Sequence, residues 1–235
     1  MDNSRIVRFA TTRWSLVAAA DARAAESATA LEELCGAYWR PLYAFLRQSG
    51  QSPVESEDLV QGFLTDLLAR GDVSRADPAR GRFRTFLLAS LKNYVSKQRD
   101  RRAASKRSGT WTRLNFADAE RAFAAGRDDR TPQQAFDRQW ALSLLEGVLD
   151  DLRQDQTAAG RAAWFERLSP LLTGEGAAPY ATIARQLDAT PGAVKQAASR
   201  LRREYRDRLE RALASGLADP ADLPDERRRL FEALG

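Results

Sequence analysis

The residues best suited to binding chemistry lie late in the chain, between positions 180 and 203. Apolar side chains at helical spacing predict one short helix there, formed around Tyr180, Ile183, Ala184 and Leu187. Residues 188–189 are expected to form a turn. Thr190 then stands at an N-cap position and Pro191 at the first position of a second helix, a pair that typically starts a helix in a new direction.

This second helix has one apolar stripe and one polar face. The stripe consists of Val194, Ala198, Leu201 and Tyr205. The other side offers hydrogen-bonding groups and positive charge, from Gly192, Lys195, Gln196, Ser199, Arg200 and Arg203. Polar side chains read base edges and Lys or Arg hold phosphates, so the pattern indicates a helix-turn-helix that binds duplex DNA. A solvated basic helix of an ordinary bundle is the alternative, but the cap, the short turn and the small residues 192–193 favour DNA.

A second concentration of positive charge starts at Arg80. Between Arg80 and Arg107 there are ten Lys or Arg residues and one acid, Asp100. The apolar pattern predicts a helix over residues 83–98. Basic groups on this helix and its preceding loop, with polar Thr85 and Asn93 between them, suit a groove that follows a nucleic-acid backbone and touches bases. Residues 101–107 are more typical of a disordered basic linker.

An acidic face is predicted on the helix that begins at Pro53. Ser52-Pro53-Val54-Glu55 is a capping box with proline in the first helical position, and the helix is expected to end near Arg70. Its outward side chains are Glu57, Asp58, Gln61, Thr65 and Asp66. This surface is either an ordinary solvated face or a docking surface for a basic partner. Gly62 lies in its middle at a cost of about 1 kcal/mol relative to alanine, which suggests a close contact there.

Composition excludes several classes of function. The 235 residues carry a net charge of +5 and contain no histidine and one cysteine, Cys35. Ser-His-Asp and Cys-His catalysis, imidazole zinc sites and an intrachain disulfide are therefore excluded, and we expect no catalytic residue, metal or cofactor. Beta signals are sparse, and no apolar run is long enough to span a bilayer. The expected protein is all-α and cytoplasmic, with no membrane partner.

Shifts in composition divide the chain into five segments. An N-terminal extension is expected over residues 1–26 and a first small helical domain over 27–102. Residues 103–133, rich in Ala, Ser, Gly, Arg and Asp, are expected to be a linker. A second small helical domain with the helix-turn-helix covers 134–213, and a C-terminal extension helix covers 214–235.

Three motifs in this order resemble the bacterial sigma-70 family, specifically sigma factors of the extracytoplasmic-function type. Residues 57–63, Glu-Asp-Leu-Val-Gln-Gly-Phe, resemble region 2.2, and residues 77–87 resemble regions 2.3 and 2.4. The stretch from 180 to 203 is similar to region 4.2. Residues 11–17 and 219–234 resemble the flanks of a subgroup common in planctomycetes and myxobacteria.

The resemblance implies a partner for each surface. Core RNA polymerase would be bound through its β′ clamp helices and β flap, and the core-binding residues would be Glu57, Asp58, Gln61 and Thr65. The melted −10 promoter element would be held by Arg80, Arg82, Arg84, Thr85, Lys92 and Asn93. The −35 element would be read by Thr190, Gly192, Lys195, Gln196, Ser199, Arg200 and Arg203.

Two positions depart from the family pattern. The family usually has an acid where Gly62 stands and a tryptophan where Phe86 stands. The first change weakens the acidic face, and we hypothesise that a Ser/Thr kinase supplies negative charge on Thr65 or Ser56. No anti-sigma domain is fused in the sequence, so the expected regulator is a separate anti-sigma factor or such a kinase.

Two other functions compete with the sigma factor. A free-standing helix-turn-helix regulator would bind an operator as a dimer without polymerase, but it gives no role to the acidic face or to the basic helix. A nucleic-acid enzyme, such as a nuclease or ligase subunit, is disfavoured. The sequence has no histidine, no carboxylates at metal-ligand spacing and no Gly-rich phosphate loop.

Overall fold

The structure is a computed structural model that describes residues 24–70, 76–77, 82–102, 119–121, 123, 129–174 and 178–235. Within these residues all regular secondary structure is helical and no strand is present, which confirms the all-α class. Most of the predicted N-terminal extension and most of the predicted linker lie outside the described residues; residues 24–26 of the extension belong to the first described helix. None of the described helices is both long and apolar enough to cross a membrane.

Nine α-helices are named here, in chain order, from the described ranges. The first three are α1 (Ala24–Gln48), α2 (Pro53–Ala69) and α3 (Phe83–Arg102). The next three are α4 (Pro132–Ala158), α5 (Ala162–Leu168) and α6 (Pro170–Thr173). The last three are α7 (Tyr180–Gln186), α8 (Pro191–Ser215) and α9 (Leu223–Leu234), the last preceded by a 3-10 turn at Pro220–Asp222.

Contacts group the chain into two compact units. The first contains the residues up to Leu144 and Leu213–Gly235, and the second contains Leu145–Ala212. One boundary falls inside α4, after Leu144, whereas the sequence division lies at residue 133. The other falls inside α8, after Ala212, one residue from the sequence division at 213. The segment set apart by sequence as a C-terminal extension belongs by its contacts to the first unit.

Aromatic and leucine side chains form the core of the first unit. The fully buried members include Leu42, Tyr43, Val60, Phe83, Leu87, Leu91, Phe136 and Leu230. Tyr38 and Phe83 meet edge to face with 5.5 Å between ring centroids, which joins α1 to α3. Leu230 belongs to α9, so the C-terminal helix contributes to this core.

The second unit has its own hydrophobic core beneath the helix-turn-helix. Its buried members are Leu152, Phe165, Leu168, Ile183, Ala184, Val194, Ala198 and Leu201. They come from α4, α5, α7 and α8. The apolar stripes predicted for α7 and α8 are therefore the surfaces that pack against this core.

Candidate nucleic-acid interface and docking face

The helix-turn-helix is built by local signals. Helix α7 ends at Gln186 with Leu187 as its C-cap, and Asp188 takes a left-handed conformation with φ of 48°. The Ala189 N–H donates to the Ala184 carbonyl over 2.9 Å, which closes a Schellman-type end. Helix α8 then begins at Pro191, and the Thr190 hydroxyl oxygen accepts from the Ala193 N–H at 3.2 Å. The predicted turn, cap and first-position proline are confirmed.

Packing of the apolar stripe determines which face of α8 meets solvent. Val194 and Ala198 are buried against α7, so the opposite side points outward. The seven residues predicted to contact duplex DNA are all exposed: Thr190, Gly192, Lys195, Gln196, Ser199, Arg200 and Arg203. Farther along, the Tyr205 hydroxyl donates to the Leu145 carbonyl at 3.3 Å, and burial raises the pKa of Tyr205 to about 12. The face is thus presented by a helix anchored at several points.

One contact at this face was missed by the sequence reasoning. Arg202 donates to the Tyr180 hydroxyl at 3.3 Å and places an exposed guanidinium beside the start of α7. Spacing alone gives no signal for the pair, because the residues lie on different helices. Arg202 extends the positive charge of α8 toward α7.

The acidic face of α2 follows its capping box. The Glu55 N–H donates to the Ser52 hydroxyl oxygen at 3.3 Å, and the Ser52 N–H donates to the Glu55 carboxylate at 3.2 Å, as predicted. Asp58 is exposed, whereas Gln61 and Thr65 are half-buried. The Thr65 hydroxyl donates to the Gln61 carbonyl at 2.7 Å.

Ser56 and Glu57 differ from expectation in their environment. Ser56 is 0% exposed, so a kinase cannot reach its hydroxyl in this structure, and that half of the modification hypothesis is corrected. The pKa of the half-buried Glu57 is raised, first by burial and then by the nearby negative charges of Asp58 and Glu120. Part of the acidic face is therefore easier to protonate than an ordinary glutamate.

Glu120, from the predicted linker, joins α1 beside this face. Its carboxylate accepts from the Tyr43 hydroxyl at 2.5 Å and from Arg47 Nε and Nη2, each at 2.8 Å. The Arg47 guanidinium also lies 4.9 Å from the centroid of the Phe123 ring. Burial, and then the hydrogen bond to Glu120, raise the pKa of Tyr43. No sequence pattern pointed to this cluster, because Glu120 lies more than seventy positions from both Tyr43 and Arg47.

The basic helix α3 places its predicted contacts in two different environments. Thr85, Lys92 and Asn93 are exposed, and the Lys92 ammonium lies 5.4 Å from the centroid of the Phe45 ring. Arg80 lies outside the described residues. Arg82 and Arg84 point instead toward the C-terminal helix, which corrects their assignment as open DNA contacts.

Glu226 of α9 is the residue that draws these two arginines inward. It is 4% exposed and forms a two-pronged pair with Arg84, which is 9% exposed. Arg82 Nε lies 2.5 Å from the same carboxylate. Arg84 also stacks 4.0 Å from the centroid of the Trp140 ring. A buried carboxylate requires paired cations, and Glu226 takes them from Arg82 and Arg84 at the start of α3.

Two cavities flank α3 within the first unit. The larger, of about 520 Å³, is lined by polar and charged side chains that include Thr85, Arg130, Gln133, Gln134, Asp137 and Arg229. The smaller, of about 300 Å³, lies between α2 and α3 beside Phe63, Asp66, Asn93, Tyr94 and Lys97. Among the described residues, no cluster of three or more Cys, Asp or Glu side chains is arranged to hold a metal ion.

Comparison with protein-family models, with curated proteins and with solved structures found no match to this chain. Any function must therefore be inferred from the residues and their arrangement.

Proposed function

We propose that the protein is a sigma factor of the extracytoplasmic-function type, which binds core RNA polymerase and directs promoter-specific initiation of transcription in the cytoplasm. The observation that carries this proposal is the capped helix-turn-helix with all seven predicted DNA contacts on its open face. It occurs in the same chain as a separate acidic docking face and an exposed polar stretch of a basic helix. A simple operator-binding regulator needs only the first of these surfaces.

Recognition of the −35 element is assigned to α8. Gln196 and Ser199 offer hydrogen bonds to base edges, and Lys195, Arg200 and Arg203 offer charge to phosphates. The N-terminal end of α8 carries the small Gly192, which lets the helix approach the groove closely.

Holding of the melted −10 strand is assigned to the exposed part of α3. Thr85 and Asn93 supply hydrogen bonds and Lys92 supplies charge. Arg82 and Arg84 contribute indirectly in this proposal, since their ion pairs with Glu226 attach α9 beside Thr85.

The test is gel filtration of the full chain with and without bacterial core RNA polymerase. We expect co-elution, and we expect Asp58→Lys to abolish it by placing a like charge against a basic partner surface. Glu166→Lys is the matched control, because Glu166 is an exposed acid of the second unit whose pair with Arg153 is long, at 3.7 Å.

The outcomes separate the candidate functions. A chain that never co-elutes with polymerase, yet shifts duplex DNA alone and elutes as a dimer, is the operator-binding regulator. Co-elution restored only by a Ser/Thr kinase and lost in Thr65→Ala would assign regulation to phosphorylation at Thr65. Loss of co-elution on adding a second protein would identify an anti-sigma factor.

A further inference from the structure

Gly62, in the middle of the acidic face, lies directly beneath Tyr94 of α3. A Cβ atom at Gly62 would overlap the Tyr94 hydroxyl oxygen and would stand 3.5 Å from the Tyr94 Cζ atom. The Tyr94 ring is held by Phe63, which it meets edge to face with 5.7 Å between ring centroids. The glycine is therefore required by a close approach of the phenol, which accounts for its unfavourable presence in a helix.

The Tyr94 hydroxyl consequently lies within the row of docking side chains. Asp58 precedes Gly62 by four residues, Thr65 follows it by three and Asp66 by four, so all share one side of α2. Along the helix axis, Gly62, which the hydroxyl covers, lies one turn after Asp58 and one turn before Asp66. A residue of α3 thus contributes to a surface that the sequence assigns to α2 alone.

We infer that Tyr94 belongs to the docking surface for core RNA polymerase and that Gly62 is the notch that admits its hydroxyl; this inference rests on the proposed function. The partner is a basic segment of the polymerase, because the row carries the exposed carboxylate of Asp58 and a second carboxylate, Asp66, which pairs with Arg70 at 3.0 Å. A phenol suits such a partner in two ways. Its oxygen accepts a hydrogen bond from an Arg or Lys side chain, and its ring attracts the cation.

The geometry allows a sharp test of the notch by a double-mutant cycle. Tyr94→Phe removes the one atom that a Cβ at Gly62 would overlap and leaves the ring carbon at an ordinary contact distance. In the native background Gly62→Ala should lower Tm by roughly 2 to 6 °C. In the Tyr94→Phe background the same change should raise Tm by about 2 °C, since alanine is the better helix former.

Gly192→Ala is the matched control for the cycle. A Cβ there would meet only the Thr190 hydroxyl oxygen, at 3.9 Å, so its effect on Tm should be the same in both backgrounds. If Gly62→Ala is tolerated equally well in the native and the Tyr94→Phe backgrounds, the notch is overturned.

Binding to core polymerase tests the docking role itself. Tyr94→Phe should weaken the affinity of the full chain about fivefold, the effect of one hydrogen bond, with Tm nearly unchanged. Wild-type affinity in Tyr94→Phe, while Asp58→Lys abolishes binding, would overturn this inference and leave the proposed function standing. A native chain that binds no polymerase would overturn both, and the Tm cycle would still report whether the notch exists.

Discussion

The two surfaces predicted to contact DNA differ in how many of their predicted residues the fold leaves exposed. On α8 every predicted side chain is exposed, whereas on α3 and the residue before it two of the predicted arginines, Arg82 and Arg84, turn toward Glu226. The α8 face is decided by periodicity over a few turns of one helix and by the cap at Thr190. The α3 face is decided by a carboxylate 142 positions away along the chain. Helical spacing identifies which side of a helix is polar, but it cannot identify the partner that a polar group meets.

The largest effect is expected from removing Glu226, the carboxylate that pairs with Arg82 and Arg84 at the start of α3. Glu226→Ala leaves two guanidinium groups largely buried without their counter-ion, and we expect it to lower the free energy of unfolding by about 3 kcal/mol. Chemical denaturation of the full chain measures this effect. Glu232→Ala, an exposed acid of the same helix, is the control and should change stability by less than about 0.5 kcal/mol. Equal losses in the two variants would show that the Glu226 pairs are unimportant.

Removing a positive charge from the exposed face of α8 should weaken DNA binding and leave the free energy of unfolding nearly unchanged. Arg200→Ala is expected to weaken duplex DNA binding by about 1 kcal/mol and to reduce the salt dependence by about one counter-ion. Fluorescence anisotropy over a salt series checks both quantities. Arg211→Ala, also exposed on α8 but bonded to the Asp207 carbonyl of its own helix, should bind DNA as the native chain does. The same salt slope in both variants would contradict a specific DNA face.

The cap tests whether the α8 face is set locally. Thr190→Ala removes the acceptor for the Ala193 N–H and should lower the free energy of unfolding by about 1 kcal/mol. Thr190→Ser keeps a hydroxyl acceptor and should retain most of this stabilisation. Thermal unfolding followed by circular dichroism compares the two. A serine variant as unstable as the alanine variant would assign the loss to the threonine methyl group instead of the cap.

Glu57 should show the smallest effect, as a pH dependence that comes from tertiary structure. Its folded pKa is raised, so its charged form slightly destabilises the fold, and its contribution to stability increases as pH falls through that pKa. The acidic face loses charge over the same range. Polymerase binding should therefore weaken, as pH falls through this raised pKa, more in the native chain than in Glu57→Gln. Parallel pH profiles for the two proteins would show that titration of Glu57 does not affect binding.

Sequence reasoning succeeded where the determining interactions join residues that are close together along the chain. The capping box at Ser52, the start of α8 at Pro191 and the exposure of the polar face of α8 were all predictable, because each depends on residues within one or two helical turns. The division into units was less accessible. The boundary inside α8 lies one residue from the predicted division at 213, but composition gives no sign of the boundary inside the continuous helix α4.

The sequence by itself therefore determined the all-α class, the helix-turn-helix and the acidic and basic character of α2 and α3. Only the tertiary structure decided that Glu226 pairs with Arg82 and Arg84, that Glu120 joins Arg47 and Tyr43, and that Tyr94 requires Gly62. The physical reason is the range of the interactions. Caps and amphipathic stripes are repeated within a helix and leave a pattern, whereas a buried ion pair or a close ring contact joins single residues from distant segments and leaves none.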